Sequence, residues 1–472
     1  SDVYKRQTLL FLMKLTKSIR IKKGANLKII GEASKILKKN ILPSIFSIKP
    51  TDFFGLIPKL IVKEGDKVKV GTPLFYSKEN PEITIVSPVS GSIKSIIRGA
   101  KRKILELIID SDSKNLKIKH DVTFQENDKH EVQKIKNLLL ISGCWPFLKQ
   151  RPYGVIADPN VSPKAIFIST IDKAPLGVDY DFILKSRIDD FQLGVNVLNK
   201  MSSGKVFLGL DKNFRGFFEK IKNVEIYDVQ GPHPSGDVSF HIHKISPINP
   251  GEKIWTINPE DVANIGSFFK TGNYTPTRTI AIAGSVVKEP KYYETIIGSE
   301  LKKFMKDSKV DNNIQVRCIN GNVLNGKIES SDGFIGYFNN LISIIPEGNN
   351  YRMFGWLPFV DNKILSLSNT SLSWLFNRNG SEVNSNLNGE ERALVVTGEM
   401  ESFFPMDIYP MQLIKACLAS DIEKMEGLGI YEVIPEDFAL IDFSNTSKIE
   451  AQEIVRQGIE SVSYTHLRAH ET

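Results

Sequence analysis

Short apolar runs broken by glycine and proline fill residues 13–120: "LKIIG" (27–31), "KLIVKEG" (59–65), "ITIVSP" (83–88), "GSIKSII" (91–97) and "KILELIID" (103–110). Such runs predict the short strands of a barrel or sandwich. The polar stretch "DSDSKNLKIKHDVTFQENDKH" then reads as a linker. Over 137–272 strand and helix alternate. "KAIFIST" (164–170), "KVFLGL" (205–210) and "VEIYDV" (224–229) have buried-strand length, while Ile188, Phe191, Val195 and Leu198 share one helical face. Asn258 as N-cap and Pro259 at the first helical position predict a helix ending near Gly272. Residues 275–350 return to strands around one short helix, "IGSELKKFM", with "VRCINGNVLNG" as a strand pair. Over 390–462 the pattern is helical. Pro410 opens a helix with Met411, Ile414, Leu418, Ile422 and Met425 on one face, and Ser447 with Glu450 predicts a capping box for the last helix. Residues 1–12 and 463–472 show neither periodicity and read as terminal scars.

These patterns predict an α/β multidomain protein: a lipoyl/biotinyl-like barrel-sandwich hybrid (13–120), a Rossmann-like domain (137–272), a β-grasp, SLBB-like domain (275–350) and a C-terminal helical region (390–462). The barrel reading rests on "VKEGDKVKVGTPLFYSKENPEITIVSPVSGSIKSI" (62–96), written like the domains that carry biotin or lipoate on a hairpin lysine. Here Lys78 lies early for that role, Pro81 stands near the tip, and no M-K-M or D-K-A surrounds it. The barrel is expected without the arm. A dinucleotide cradle needs glycines between strand and helix so that backbone can approach pyrophosphate. The corresponding turn is "TIDKAPLG" (170–177), and no Walker A pattern occurs. The sheet is expected without the nucleotide fingerprint.

The remaining chemistry is sparse. His241 and His243 in "SFHIHKI" alternate as if on one face of a strand, with His233 nearby in "GPHPSG". No Cys, Asp or Glu stands at ligand spacing with them, which favours structural hydrogen bonding over zinc. Cys144, Cys318 and Cys417 are isolated, without C-x-x-C, so a zinc ribbon, an iron–sulfur cluster or an activated thiol lacks its partners. The aromatic stretches "YRMFGWLP" (351–358) and "FFPMDIYP" (403–410) suit core and inter-domain packing better than a quinone-like groove. No catalytic, cofactor-binding or metal residue is assigned.

Composition adds a charge gradient. The chain of 472 residues carries a net charge of +7. Residues 13–70 hold 14 basic against 4 acidic side chains, and residues 399–460 hold 4 against 13. A basic front, with Lys17, Lys22, Lys23, Lys35, Lys38 and Lys39, is expected to face an acidic partner or anionic lipid. No apolar run approaches the roughly 20 residues that span a bilayer.

The order of parts and six stretches carry a resemblance: "IRIKKGANLKIIG", "GLIPKLIVKEGDKVKVGTPLFYSKENPEITIVSPVSGSI", "GPHPSGDVSFHIH", "WTINPEDVANIGSFFKTG", "AIAGSVVKEP" and "FFPMDIYPMQL". The chain resembles the A subunit family of the bacterial sodium-translocating NADH:quinone oxidoreductase (Na+-NQR). The resemblance implies a peripheral subunit on the cytoplasmic face of the inner membrane, partnered by the other subunits, the membrane subunits above all, with no nucleic acid. The complex uses NADH, flavins, iron–sulfur centres and ubiquinone. This subunit is implied to hold none of these cofactors and to act as a scaffold or near the quinone. Two alternatives stand beside it: a free-standing NAD- or flavin-dependent oxidoreductase, and an Rnf-type C subunit without its clusters.

Overall fold

The computed structural model describes residues 18–39, 41–122, 131–311, 313–348 and 380–471, with isolated positions between 365 and 375. Strands β1 (Ser18–Arg20) and β2 (Ser34–Lys38) come first. Seven short strands follow: β3 (Ile45–Ile48), β4 (Pro58–Leu60), β5 (Lys67–Val68), β6 (Pro73–Ser77), β7 (Thr84–Val86), β8 (Gly91–Arg98) and β9 (Ile104–Ser111). They form two facing sheets, β3-β9-β8-β5 and β4-β6-β7. Their inward side chains, including Phe46, Leu74, Phe75, Ile85, Ile93, Leu107 and Ile109, are buried together. Gly91 fits because β9 passes very close: a Cβ there would lie 2.0 Å from the Asp110 carbonyl oxygen. This is the barrel-sandwich hybrid.

The α/β part contains α1 (Glu131–Ser142), β10 (Lys149–Arg151), β11 (Val155–Ile156), β12 (Ala165–Ser169), α2 (Tyr180–Leu184), α3 (Ile188–Met201), β13 (Lys205–Asp211), β14 (Glu225–Gln230), α4 (Val238–Ile245), β15 (Ile254–Thr256) and α5 (Pro259–Thr271). The sheet runs β1-β14-β13-β12-β15-β10-β11. Strands β1, β14, β13, β12 and β15 are parallel, while β10 and β11 are antiparallel additions. The chain builds outward from β12 through β13 to β14, then returns to place β15 on the other side of β12. Helices α3 and α5 approach closely because both present glycine. A Cβ on Gly266 would lie 1.8 Å from the Asp190 oxygen, and one on Gly194 2.0 Å from that of Val262.

The β-grasp part has β16 (Thr277–Ala283), β17 (Lys291–Ile296), α6 (Lys302–Asp307), β18 (Val316–Asn320), β19 (Lys327–Glu329) and β20 (Leu341–Pro346). Its sheet order is β19-β18-β20-β16-β17-β2. Phe304 and Met305 of α6 pack on Ile280, Ile282, Tyr293, Ile342 and Ile344. Five helices close the chain: α7 (Glu399–Phe403), α8 (Pro410–Leu418), α9 (Ile422–Gly427), α10 (Ala439–Ser444) and α11 (Ala451–Glu471). Their apolar faces share one core with Phe167, Tyr227, Val229, Phe240 and Ile242 of the α/β part.

Several expectations need correction. Residues 13–120 are not one barrel from the start, because β1 joins the α/β sheet and β2 joins the β-grasp sheet. Apolar pattern marks a strand but not its partner. Between them the chain is tied to four other places: Ala25 N–H donates to the His233 carbonyl, Gly24 N–H to that of Ser402, Ile30 N–H to that of Ser381, and Gly284 N–H to that of Gly31. The single helix expected from Pro410 is two, because Asp421 accepts from the Lys424 N–H and starts a new helix after Ser420, which has φ 53°. The Ser447–Glu450 box does not form. Ser447 donates to the Ala393 carbonyl instead, and Asp442 of α10 takes the Ala451 and Gln452 N–H groups at the start of α11. Helix α11 also continues to Glu471, through the tail expected to trail a finished helix; residues 1–12 lie outside the described residues.

Candidate functional site

In a doubly wound sheet, ligands bind at the carboxyl ends of the strands where the winding reverses. Here that point lies between β12 and β15. The loop after β12 folds onto its own acid: Asp172 accepts from the Ala174 N–H (3.1 Å) and the Val178 N–H (3.0 Å). The N–H groups a phosphate would use are thus taken by a carboxylate, which burial pushes above its usual range. Asp179 then caps α2 through the Phe182 N–H. This places Tyr180 so that its hydroxyl accepts from Asn258 Nδ2 at 2.8 Å, across the crevice.

Asn258 holds three partners at once. Its Oδ1 accepts from the Glu260 N–H (2.9 Å), which starts α5, and its Nδ2 also reaches Asn340 Oδ1 (3.1 Å). Asn340 comes from the β-grasp part and donates to Glu260 Oε2 at 2.6 Å and to the Thr279 carbonyl at 2.9 Å. Glu260, fully buried, accepts the Thr279 N–H with both oxygens, at 2.9 and 3.0 Å. Arg278, equally buried, donates to Asp261 Oδ1 (2.8 Å) and to the Tyr337 carbonyl (2.9 Å), with Nη1 3.7 Å from Glu260. Arg187 of the α/β part donates to Asn264 Oδ1 at 2.9 Å. Burial pushes the Asp261 carboxyl up to about 6 against the pull of Arg278, and the Glu260 carboxylate adds to the rise. The first turn of α5, where pyrophosphate would gain from unpaired N–H groups, therefore carries two acids neutralised from the neighbouring domain. An incoming phosphate would displace this network and meet like charge.

The histidines do not converge. The segment expected as a strand is helix α4, so residues two apart face opposite sides, about 200° around the axis. His241 points inward, accepting from the Tyr227 hydroxyl at Nδ1 (2.9 Å) and donating to the Ser235 carbonyl from Nε2 (2.7 Å). Burial pulls it down to about 4. His243 faces the C-terminal helices, where the Asp407 N–H donates to its Nε2 and its Nδ1 donates to Glu432 (2.6 Å). His233, 3% exposed in the turn before α4, is likewise pulled to about 4 by burial. Among the described residues no group of three or more His, Cys, Asp or Glu could hold a metal ion. Cys144, Cys318 and Cys417 are buried, and burial pushes their thiols to about 12, 11 and 11.

Lys78 is exposed just past β6, its N–H bonded to the Ile57 carbonyl. Of "FFPMDIYP", Phe404, Met406 and Ile408 lie in the core while Asp407 and Tyr409 are exposed; "YRMFGWLP" lies outside the described residues. Sequence reasoning missed Arg278, Asn340 and Tyr180. The one available signal was Arg278 itself, a charge inside the apolar run "TRTIAIA", which needs a buried partner.

Three family descriptions match in chain order: the NqrA N-terminal barrel-sandwich hybrid domain over 19–112, the NqrA second alpha/beta domain over 130–274, and the NQRA C-terminal domain, of SLBB type, over 279–330. The A subunit of the Na(+)-translocating NADH-quinone reductase of Neisseria meningitidis serogroup A is 31% identical over 450 residues, covering 94% of this chain and 99% of the relative. The corresponding protein of Rhodopirellula baltica is 31% identical over 455 residues (95% and 99%), and that of Haemophilus influenzae 33% over 457 (94% and 99%).

Proposed function

We propose, for a chain that belongs to the A subunit family of the Na(+)-translocating NADH-quinone reductases, that it serves its complex as a scaffold free of its own redox cofactor. Membership makes it part of a multisubunit enzyme of NADH:quinone oxidoreduction. Neither a free-standing NAD- or flavin-dependent oxidoreductase nor a cluster-free C subunit of Rnf type is favoured. No helix among the described residues is long and apolar enough to cross a membrane. The further reading is that the chain sits peripherally on the cytoplasmic face, docks on membrane subunits, and borders the quinone path without reducing NADH itself.

The observation that carries this reading is the crevice between β12 and β15, filled by Tyr180, Asn258 and Asn340 and lined with Asp172, Glu260 and Asp261. The same bonds that fill it fasten the α/β part to the β-grasp part, which suits a rigid spacer. The purified chain is expected to be colourless above 320 nm (roughly where aromatic side chains stop absorbing) and to release no stoichiometric metal. A yellow or brown chromophore at one per chain would overturn the reading.

A further inference from the structure

The barrel leaves a sheet edge open. In the sheet β4-β6-β7, β4 stands at the edge and pairs with β6 alone. Lys59 lies opposite Tyr76 in antiparallel register. The Ile61 N–H donates to the Leu74 carbonyl (2.9 Å), and the Lys78 N–H to that of Ile57 (2.8 Å). Successive residues of an antiparallel strand turn their backbone groups to opposite sides. Ile57, Lys59 and Ile61 therefore direct theirs to β6, while Leu60 turns both its N–H and its carbonyl outward. Among the described residues neither group is hydrogen-bonded. Pro58 has no N–H, so the donors of this edge begin at Leu60.

The same alternation sets the side chains. Ile57, Lys59 and Ile61 share the outward face of β4, and Lys63 follows two residues on. Both isoleucines are 50% exposed. Lys59 and Lys63 are exposed, and among the described residues neither has an ion pair. Lys59 Nζ sits 5.7 Å from the centre of the Tyr76 ring. The run "IPKLIVK" (57–63) contains no acid, and the next two acids turn to backbone: Glu64 accepts the Ile96 N–H and Asp66 the Lys63 N–H. An edge strand that stays solitary is blunted by charge or covered by chain. Here two apolar side chains flank the open Leu60 groups, and that combination is a template for another strand.

We propose that the β4 edge receives an extended segment of another subunit, which adds to the sheet as a fourth strand. Its backbone takes the Leu60 N–H and carbonyl. Its outward side chains alternate, apolar beside Ile57 and Ile61 and acidic beside Lys59 and Lys63. A lipid surface matches the charge but offers no strand of N–H and carbonyl groups. A second copy of this chain would pair β4 with β4 and gather four lysines on one strip, where like charges repel. The inference rests on the chain's being one subunit of several and not on its lacking a cofactor, so a coloured chain would leave it standing.

Hydrogen exchange on the full chain, alone and in the assembled enzyme, tests it. The Leu60 N–H is expected to exchange freely in the isolated chain and to slow by about tenfold or more on assembly. Lys59→Glu combined with Ile61→Glu should leave the Tm of the isolated chain unchanged, because both side chains face outward, and should release the subunit from the complex. If that double variant unfolds, the exchange comparison on the wild type decides alone. Equal exchange at Leu60 in the two states, or a folded double variant that assembles normally, would overturn the site. So would protection of the isolated chain by its own dimerisation or by vesicles of anionic phospholipid, which would assign the edge to a second copy or to lipid.

Discussion

Asp442 shows how one side chain joins two helices at a pH-dependent cost. It accepts from the Ala451 and Gln452 N–H groups and from Gln452 Nε2 (2.7 Å), replacing the local cap that Ser447 and Glu450 would have made. Burial pushes its carboxyl up to about 6 from 3.8, although these hydrogen bonds pull the other way. A folded-state pKa above the unfolded value means the folded chain binds the proton more tightly. That contribution is present below about pH 4 and is lost as pH rises to about 6. The stability of Asp442→Asn relative to wild type should therefore rise by on the order of 2 kcal/mol between pH 4 and 7, read by urea unfolding at each pH. A difference that stays flat across that range would contradict the assignment. Asn258→Ala should cost about 2–3 kcal/mol, because it removes a cap and leaves the Tyr180 hydroxyl and Asn340 short of a partner.

At the scale of elements, what was legible was what is local. Asn258 and Pro259 announced α5 and Gly272 ended it, with φ 72° and its N–H on the Phe268 carbonyl, because caps are written within a few residues. Strands β12, β13 and β14 likewise stand where their apolar runs are, whereas β1, β10 and β11 of the same sheet had no such signal. Local spacing failed where a distant group competed. The run "SFHIHKI" alternates like a strand, yet it folds as α4 because it follows the turn after β14 and must cover Phe167 and Tyr227. The crevice network was illegible because its members are scattered from Asp172 to Asn340. Glycine contacts make a sharper forecast. Gly266→Ala should destabilise by about 1–3 kcal/mol, since α3 and α5 must part to admit a methyl group. Gly91→Val should weaken the barrel comparably, whereas Lys78→Ala should change stability by under about 0.5 kcal/mol. A thermal-shift series on the three variants checks the order; a destabilised Lys78→Ala with a tolerated Gly91→Val would contradict it.

For the whole molecule, the basic front is less free than its count suggested. Lys35 pairs with Asp179 (2.5 Å), Lys38 with Asp307, and Lys39 with Glu294 (3.0 Å), so these three fasten β2 to the α/β and β-grasp parts. Lys22 and Lys23 are exposed, and Lys17 lies outside the described residues. Reversing Lys35, Lys38 and Lys39 to Glu should lower the Tm of the isolated chain. Reversing Lys22 and Lys23 should leave Tm unchanged and loosen attachment to membranes at low salt, if charge drives docking. Normal attachment of the Lys22/Lys23 double variant would reject the electrostatic account.

The central claim is that this chain organises an NADH-oxidising complex without binding the nucleotide. Isothermal titration of NADH into the purified full chain tests it most directly. The account predicts no saturable heat at any concentration up to about 1 mM, the upper end of ordinary substrate affinities. Stoichiometric binding at micromolar affinity, abolished by a substitution in the crevice between β12 and β15, would contradict it.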